Sequence, residues 1–341
     1  MEALTVIDAD AHLPQHPNDE DVRPHMEKHG NAFEPVLPSV GWDPSDYGRF
    51  DEPGWNLESR LQAMDQEGIQ TSVLFPTRGL LASLLPDCEL ALHYCRGYNK
   101  YLASLCERSG RIRGAAIVPF NNVSAAVDEV HRAVTDLGLC GIVLTSAGLR
   151  EHVGSQTYWP IYEAIQRLKV PLLIHNSYAG PGNDRRADTF LFQDTMGRPM
   201  ETMITYAGLV YGGVPEKFPD LRVSFLDVGV GWLPFYLERI DKDIESSLNS
   251  GGGATGSLLK ALPSEYLSRG HWYFAARSDE SMLPYVIDAI GEDVVVFGSS
   301  FPEPDGLFPK AVSTLMARKD ISEQVKKKIV QENPKRLFGW S

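Results

Sequence analysis

Eight short apolar runs recur along the chain, and helical patterns separate most of them. Most of these runs are continuously hydrophobic and rich in β-branched residues, which is typical of strands buried on both faces of a parallel sheet. The runs are LTVID (4–8), TSVLFP (71–76), GAAIVPF (114–120), GIVLTS (141–146), PLLIH (171–175), RVSFLD (222–227), HWYFAA (271–276) and VVVFGS (294–299). Such a pattern restricts the chain to an α/β fold built on a parallel sheet.

The segments between the runs carry helical periodicity. They are 57–67, 87–108, 124–137, 157–168, 200–212, 233–248 and 281–290. Gly68 and Gly138 end two of them in the manner of helix C-caps, and Ser124 opens one as a capped start. Eight strands that alternate with helices predict a (β/α)8 TIM barrel. An open doubly wound sheet is the alternative, less favoured because no GxGxxG motif opens a helix after an early strand.

Three segments do not follow the repeat. Residues 13–56 form a proline-rich insertion after the first strand, and we expect it to act as a lid over the active face. Residues 177–199 and the glycine run 251–253 are candidate mobile connections. The sequence contains no internal repeat and no linker, so we predict a single domain over 1–341.

Composition excludes several classes of protein. The chain is 43% hydrophobic and 23% charged, as in an ordinary globular protein. The excess of 45 acidic over 32 basic residues gives a net charge of −13, which repels a phosphate backbone and argues against a nucleic-acid partner. A small molecule is the expected partner.

Cysteine usage and the apolar segments indicate a cytoplasmic protein. The four cysteines include no CxxC pair, so we interpret them as small core residues and not as disulfides or thiolate metal ligands. The first residues, MEALTVIDADAH, lack the apolar region of a signal peptide. No run of about 18 apolar residues is present, so we expect no membrane span.

Polar side chains collect where the predicted strands end. The first strand ends in Asp8, Asp10 and His12, the fifth in His175, the sixth in Asp227, and the eighth in Ser300 with Glu303 three residues further on. In a barrel these ends meet at one mouth, where the chemistry of the fold takes place. Histidine and carboxylate side chains together suit Zn²⁺, Mn²⁺ or Fe²⁺. The sequence therefore predicts a divalent metal site.

The spacing of Asp10 and His12 supports this prediction. Residues i and i+2 of an extended strand point to the same side, so the two side chains are able to coordinate one ion together. The alternative is that Asp8 and Asp10 are turn or capping residues and that His12 is a loop histidine. His175 is harder to explain structurally, since it is polar at the mouth of a buried strand.

These residues and several longer stretches resemble the amidohydrolase-related family that includes the aminocarboxymuconate-semialdehyde and resorcylate decarboxylases. The matching stretches are IDADAH (7–12), LESRLQAMDQEGIQTSVLFPT (57–77), ALHYCRGYNKYLASLC (91–106), YWPIYEAIQRLKVPLLIH (158–175), KFPDLRVSFLDVGVGWLPFYLERID (217–241), VVVFGSSFPEPDG (294–306) and ENPKRLFG (332–339). The resemblance implies a distorted TIM barrel that assembles as a homodimer or a larger homo-oligomer.

The resemblance also implies roles for individual residues. Asp10 and His12 match the first-strand metal ligands, His175 matches the fifth-strand ligand, and Asp227 matches the sixth-strand position. The family pattern at the eighth strand resembles GSD followed by Phe or Tyr, Pro and His, whose Asp binds metal and handles a proton. Here that Asp is replaced by Ser300 and the His by Glu303.

This replacement leaves the proton path open, because a serine hydroxyl is a poor base and a weak ligand. Asp227 or Glu303 is expected to replace the missing acid, either as a catalytic group or as a further metal ligand. Glu303 is equally consistent with a rim residue paired to a cation. Glu201 is a further carboxylate candidate, although a solvated helical acid is the simpler interpretation.

Three functions are consistent with the sequence. The first is a metal-dependent lyase or hydrolase that decarboxylates or hydrolyses a small carboxylated or carbonyl-containing metabolite. The second is a nonheme iron monooxygenase, with one or two iron ions, that hydroxylates a bulky apolar substrate in secondary metabolism. The third is a binding protein that kept the barrel and lost the chemistry.

Overall fold

The structure is a computed structural model, and it describes residues 4–13, 56–77, 79–80, 82, 85, 87–146, 149–175, 190–249, 258–303 and 306–341. Residues 14–55, nearly all of the predicted lid, lie outside this set. The same holds for residues 177–189 and for the glycine run 251–253. The lid, and mobility in those two connections, stay predictions.

The predicted barrel is confirmed. Eight strands form one parallel sheet in the order β1 to β8, and each strand pairs with the next one along the chain. The strands are β1 (Val6–Leu13), β2 (Ile69–Pro76), β3 (Ile112–Ile117), β4 (Gly141–Leu144), β5 (Leu172–Ile174), β6 (Val223–Phe225), β7 (Trp272–Ala276) and β8 (Val295–Phe297). Each of the eight predicted runs overlaps one of them, because continuous burial favours long apolar stretches in the sequence.

Helices cover the outside of the sheet. Along the described residues they are α1 (Leu57–Glu67), α2 (Cys88–Arg108), α3 (Val123–Thr135), α4 (Trp159–Arg167), α5 (Phe190–Tyr211), α6 (Val214–Lys217), α7 (Leu233–Asn249), α8 (Pro263–Ser268), α9 (Leu283–Ile290), α10 (Ala311–Ala317), α11 (Glu323–Lys327) and α12 (Asn333–Phe338). Short 3₁₀ or π-helical turns cover Gln156–Tyr158, Glu292–Val294 and Lys328–Glu332. Among the described helices, none is both long and apolar enough to cross a membrane.

Two predicted helix starts differ from the structure. Helix α5 begins at Phe190, ten residues before the predicted start, and Pro199 lies inside it. A proline usually marks a helix boundary because it lacks a backbone donor, which is why the sequence placed the start after it. Helix α3 is capped by Asn122, whose side chain accepts a hydrogen bond from the backbone of Ala125, and not by Ser124. Gly68 is confirmed as a left-handed C-cap, with φ of 72°.

The first and last strands are joined through backbone hydrogen bonds beyond the end of β8. The amides of Ser299 and Ser300 both donate to the carbonyl oxygen of Asp10, and the amide of His12 donates to the carbonyl oxygen of Phe301. The buried Arg60 guanidinium donates to the carbonyl oxygens of His12 and Phe301. These contacts fix the loop after β8 against the polar end of β1.

Candidate metal centre

Three of the predicted ligands meet at the carboxyl ends of the strands. Asp10, His12 and His175 each offer one ligand atom, and these atoms lie within 4.8 Å of one another. The Nε2 atoms of the two histidines are 3.1 Å apart. Oδ1 of Asp10 is 3.9 Å from Nε2 of His12 and 3.7 Å from Nε2 of His175. All three residues are buried, so the cluster is a closed site at the mouth of the barrel.

The carboxylate of Asp10 fits a metal ligand. Both of its oxygens are buried and, among the described residues, neither has a hydrogen-bond partner. Burying a carboxylate without a partner is costly, so proteins pair such groups or use them to coordinate metals. One carboxylate and two imidazoles form the donor set that Zn²⁺, Mn²⁺ and Fe²⁺ accept. These three residues therefore fit a divalent ion.

Burial shifts the protonation of two of these ligands in opposite directions. Burial, the neighbouring Asp227 and Asp8 raise the pKa of Asp10 well above its ordinary value. Burial and the adjacent His175 lower the pKa of His12 well below its ordinary value. The lowered pKa of His12 favours the neutral imidazole that a metal ligand requires, and the raised pKa of Asp10 means that metal binding competes with protonation of this carboxylate.

Local structure holds the ligands in place. The register of β1 is irregular between Asp8 and Ala11, and the side chains of Asp10 and His12 both reach the cluster. The Asp8 carboxylate accepts hydrogen bonds from the amide of Ser299 at 2.9 Å and from its hydroxyl at 2.6 Å, so it anchors the loop after β8 and not the ion. His175 follows β5, and its carbonyl oxygen accepts a hydrogen bond from the Thr145 hydroxyl at 2.7 Å.

Asp227 lies beside the cluster but is already bound by a cation. Its Oδ2 is 3.7 Å from Nε2 of His175, and the same oxygen accepts a charge-assisted hydrogen bond from the buried guanidinium of Arg198. Its Oδ1 accepts a hydrogen bond from the Ser300 hydroxyl at 3.2 Å. Burial raises the pKa of Asp227, but Arg198 and the two histidines outweigh it and lower the pKa to about 2. Asp227 is therefore a fixed, ionised carboxylate at the edge of the cluster.

Arg198 was not singled out in the sequence. It lies on α5, beyond the β5 end that carries His175. One signal was available, because Arg198 and Glu201 are the only charged residues in the otherwise apolar and neutral segment 195–211. A charged side chain within such a segment either pairs with another group inside the protein or is exposed to solvent. Only the tertiary structure shows which of the two applies.

Glu303 lies on the far side of His12. Its Oε1 is 3.6 Å from Nδ1 of His12, the ring nitrogen opposite the one that faces His175 and Asp10, and 3.5 Å from the hydroxyl of Thr77. At that distance the carboxylate makes no hydrogen bond to Nδ1, although a carboxylate beside the second nitrogen of a ligating imidazole is the arrangement that orients such a ring when the two groups do bond. The sequence suggested that Glu303 and Asp227 bind the metal directly. These roles stay predictions, because Asp227 is bound to Arg198 and Glu303 lies beside Nδ1 of His12.

Glu201 is half-buried and is separate from the three-residue cluster. Its Oε1 accepts a hydrogen bond from the Ser146 hydroxyl at 2.6 Å, and Ser146 accepts one from Thr205 at 2.6 Å. This arrangement ties α5 to the end of β4. Glu201 is thus a bonded residue between helix and strand and differs from the solvated helical acid that the sequence suggested.

The four cysteines differ in burial, and only Cys95 is the fully buried core residue that the sequence predicted. None forms a disulfide, and Cys95 is fully buried while Cys88, Cys106 and Cys140 are half-buried. Burial raises the pKa of the Cys140 thiol to about 12 and that of Cys106 to about 11, which keeps both thiols protonated and unreactive.

Comparison with known proteins places this chain in a known family. A sequence family described as Amidohydrolase matches residues 7–340. The 2-amino-3-carboxymuconate-6-semialdehyde decarboxylase of Dictyostelium discoideum is 25% identical over 295 residues, which cover 86% of this chain and 79% of the relative. The gamma-resorcylate decarboxylase of Polaromonas sp. is 24% identical over 335 residues, which cover 92% of this chain and 97% of the relative.

Solved structures support the same fold. The 5-carboxyvanillate decarboxylase of Novosphingobium aromaticivorans, complexed with manganese and 4-hydroxy-3-methoxy-5-nitrobenzoic acid, superposes with a TM-score of 0.81 at 23% identity. The superposition covers 99% of this chain and 96% of that one. At this level of identity the likeness shows the shared barrel architecture.

Proposed function

The chain belongs to the amidohydrolase family, and from this membership we propose that it is a metal-dependent carboxy-lyase. The observation that carries the proposal is the convergence of Asp10, His12 and His175 within 4.8 Å at the mouth of the barrel. The relatives named above support decarboxylation over hydrolysis, since their names are those of decarboxylases. Hydrolysis at the same site is the alternative reaction.

Asp10, His12 and His175 would hold one divalent ion. A bound ion supplies Lewis acidity toward a carboxylate or carbonyl oxygen of the substrate. We favour Mn²⁺ or Zn²⁺, because one carboxylate and two imidazoles suit both and because a structural relative was crystallised with manganese. Glu303 would orient His12 through Nδ1 and so keep its Nε2 aimed into the site.

Asp227 is the group that we assign to proton transfer. Decarboxylation breaks the bond between the carboxylate carbon and its neighbour, carbon dioxide leaves, and the neighbouring carbon takes a proton. We assign to Asp227 the delivery to that carbon of a proton that comes from solvent; because Arg198 keeps its pKa low, the carboxyl is a strong acid once protonated and returns to the ionised form afterwards. The hydroxyl of Ser300 fixes the direction of the carboxylate.

The substrate class that fits is a small acid whose carboxylate sits on an unsaturated carbon. The compounds in the relatives' names share that feature. They are resorcylate, 5-carboxyvanillate and aminocarboxymuconate semialdehyde. A carboxylate on an unsaturated carbon leaves readily once that carbon is protonated. The lid expected over residues 13–56 would set the size and polarity of the substrate.

The other functions considered for the sequence have less support. The relatives named above do not support the iron oxygenase. Its two-iron form would also need further carboxylate ligands, and Asp227 is already bound to Arg198. The pure binding protein is disfavoured because the three-residue cluster is intact. Assembly as a homo-oligomer and a cytoplasmic location are expected from the sequence and form part of the proposal.

The test is a decarboxylation assay on the purified protein. The protein is freed of metal, reloaded with Mn²⁺ or Zn²⁺, and offered hydroxybenzoates with a carboxylate beside a hydroxyl and, separately, muconate-type acids. We expect release of carbon dioxide and, in D₂O, one deuterium on the carbon that lost the carboxylate. Oxygen consumption with a hydroxylated product would indicate the oxygenase, and cleavage of amides or lactones alone would indicate a hydrolase; either outcome replaces the proposal.

A further inference from the structure

The turn between β7 and α9 contacts the loop that carries Asp227. Glu280 lies in this turn and is half-buried. Its Oε1 accepts hydrogen bonds from the backbone amides of Val230 at 2.9 Å and Gly231 at 2.6 Å, and its Oε2 accepts a second bond from the Val230 amide at 3.1 Å. A carboxylate that receives two successive backbone amides is held by strong, charge-assisted bonds. Glu280 therefore fixes the loop after β6 from a neighbouring connection.

The glycines of this loop leave room for the Glu280 carboxylate. Gly229 has a φ of 67°, and a Cβ built there would lie 3.0 Å from both carboxylate oxygens of Glu280. A Cβ built on Gly231 would lie 3.1 Å from Oε1. Glycine permits this close approach because it has no Cβ. The GVGW sequence (229–232) is therefore shaped to receive a carboxylate.

Asp227 lies between two anchors of the same loop. On one side, the amide of Leu226 donates to the carbonyl oxygen of Ile174 on β5 at 3.0 Å. On the other side, Glu280 holds the amides of residues 230 and 231. Only residues 227–229 separate the two anchors. A movement at the second anchor would therefore reach the backbone of Asp227 within three residues.

The backbone of Asp227 depends on such support because its conformation is uncommon. Its φ of 65° lies in the left-handed region, which a non-glycine residue rarely adopts. Such conformations persist only where the surrounding structure holds them, and they cluster at functional sites. With this backbone, the carboxylate of Asp227 meets the guanidinium of Arg198 and the hydroxyl of Ser300. A change of φ at residue 227 would move the carboxylate away from both partners.

The turn that carries Glu280 is itself fixed by Arg318, which follows α10. Nη1 of Arg318 donates to the carbonyl oxygens of Ser278 at 3.1 Å and Glu280 at 2.7 Å. Its Nε and Nη2 donate to the carboxylate of Asp320, which keeps the guanidinium in one orientation. The Glu280 carboxylate therefore extends from a rigid turn and is able to hold the loop in one position.

We propose that Glu280 is a positioning residue for Asp227, an inference that rests on the proposed function. Through two backbone amides Glu280 holds residues 227–229, and this segment holds the carboxylate of Asp227 against Arg198. Proton delivery requires the acid to lie within hydrogen-bond reach of the accepting atom. A misplacement of about 1 Å, even from a change far from the chemistry, costs about a hundredfold in rate. Loss of Glu280 should therefore slow proton delivery and leave metal and substrate binding intact.

Hydrogen–deuterium exchange of the full-length, metal-loaded protein tests the contact itself. Two variants grade the loss, because Glu280→Ala removes both acceptor oxygens whereas Glu280→Gln keeps one of them without the charge. We expect the amides of residues 230 and 231 to exchange faster in Glu280→Gln than in the wild type, and faster still in Glu280→Ala. Unchanged exchange of these amides in Glu280→Ala overturns the proposal.

Glu67→Ala is the matched control. Glu67 is also a buried carboxylate that holds two successive amides, those of Ala311 at 2.8 Å and Val312 at 3.0 Å, but these amides begin α10. In this variant exchange should accelerate around residues 311 and 312 and stay unchanged at 230 and 231. Its kcat should remain within about twofold of the wild type. A loss of kcat as large as that in Glu280→Ala would mark a general destabilisation and overturn the positioning role.

The kinetics of decarboxylation test the link to Asp227. Glu280→Ala should lower kcat by about tenfold to a hundredfold with KM and metal content nearly unchanged, and Glu280→Gln should retain more of the rate. In an Asp227→Asn background, Glu280→Ala should lower the residual rate by less than about twofold, because the group that it positions is already gone. An equal loss in both backgrounds overturns the proposal, as does an unchanged kcat with accelerated exchange.

A double-mutant cycle in urea unfolding tests the same link without an activity assay. Arg198→Met should shift the urea midpoint less in Glu280→Ala than in the wild type, because a displaced Asp227 has already lost contact with Arg198. Additive shifts overturn the positioning role. If the wild type releases no carbon dioxide from the acids offered to it, the proposed function fails separately. The exchange data and this cycle then still decide whether Glu280 positions Asp227.

Discussion

The hydroxyl of Ser300 donates a hydrogen bond to Oδ1 of Asp227 at 3.2 Å, and both residues have a left-handed backbone, with φ of 53° and 65°. The two residues stand at the ends of β8 and β6 and were the two positions where the site was hardest to interpret from the sequence. In the structure they complement each other, because the serine offers a donor to the acid that faces it. From this bond we propose that Ser300 directs the carboxylate of Asp227.

Replacing His175 should remove the metal. His175→Ala deletes one of the three ligands, so metal content and turnover should fall together. The measurement is elemental analysis of the purified variant beside a decarboxylation assay. His152→Ala, at an exposed position, is the control and should retain both. Full metal occupancy in His175→Ala would contradict the ligand assignment.

Metal affinity should rise with pH through the titration of Asp10. Burial raises the pKa of this carboxyl, so at low pH a proton occupies the oxygen that the ion needs. The lowered pKa of His12 means that this imidazole is neutral already and contributes no such dependence. Calorimetry in buffers of different ionisation enthalpy should detect a proton released on binding. A pH-independent affinity with no proton release would contradict the expected titration of Asp10 on metal binding.

The pair formed by Arg198 and Asp227 is suited to a double-mutant cycle. Arg198→Met leaves a buried carboxylate without its cation, which should destabilise the fold by about 3–5 kcal/mol in urea unfolding. Asp227→Asn alone strands the guanidinium and should also destabilise. The double variant should regain stability but not turnover, because it removes the uncompensated charge together with the proton carrier. Turnover in the double variant close to that of the wild type would exclude Asp227 from the reaction.

Glu303→Gln distinguishes an orienting role from a proton-carrying one. If Glu303 orients His12 through Nδ1, removing its charge should weaken metal binding by about ten- to a hundredfold and leave turnover at saturating metal nearly unchanged. A proton carrier would show the reverse, with normal metal affinity and a rate lower by about 10² to 10⁴. Metal titration followed by turnover at saturating metal reports both quantities on one sample.

Much of the fold was predictable because its signals are local. The apolar runs 71–76 and 271–276 end where β2 and β7 end, since burial on both faces demands continuous hydrophobic sequence. The start of α5 was predicted wrongly because Pro199 lies inside that helix, which only its packing against the barrel permits. Local propensity decides less where tertiary contacts supply the stabilisation.

For the site, the sequence by itself determined the candidate ligands, because few structural roles account for polar residues at the ends of buried strands. Asp10, His12 and His175 were identified in this way, and the barrel brings His12 and His175 together across 163 residues. Only the tertiary structure decided the state of Asp227, since its partners Arg198 and Ser300 come from other parts of the chain. A carboxylate's charge depends on the groups within a few ångströms of it, and sequence spacing does not specify which groups those are.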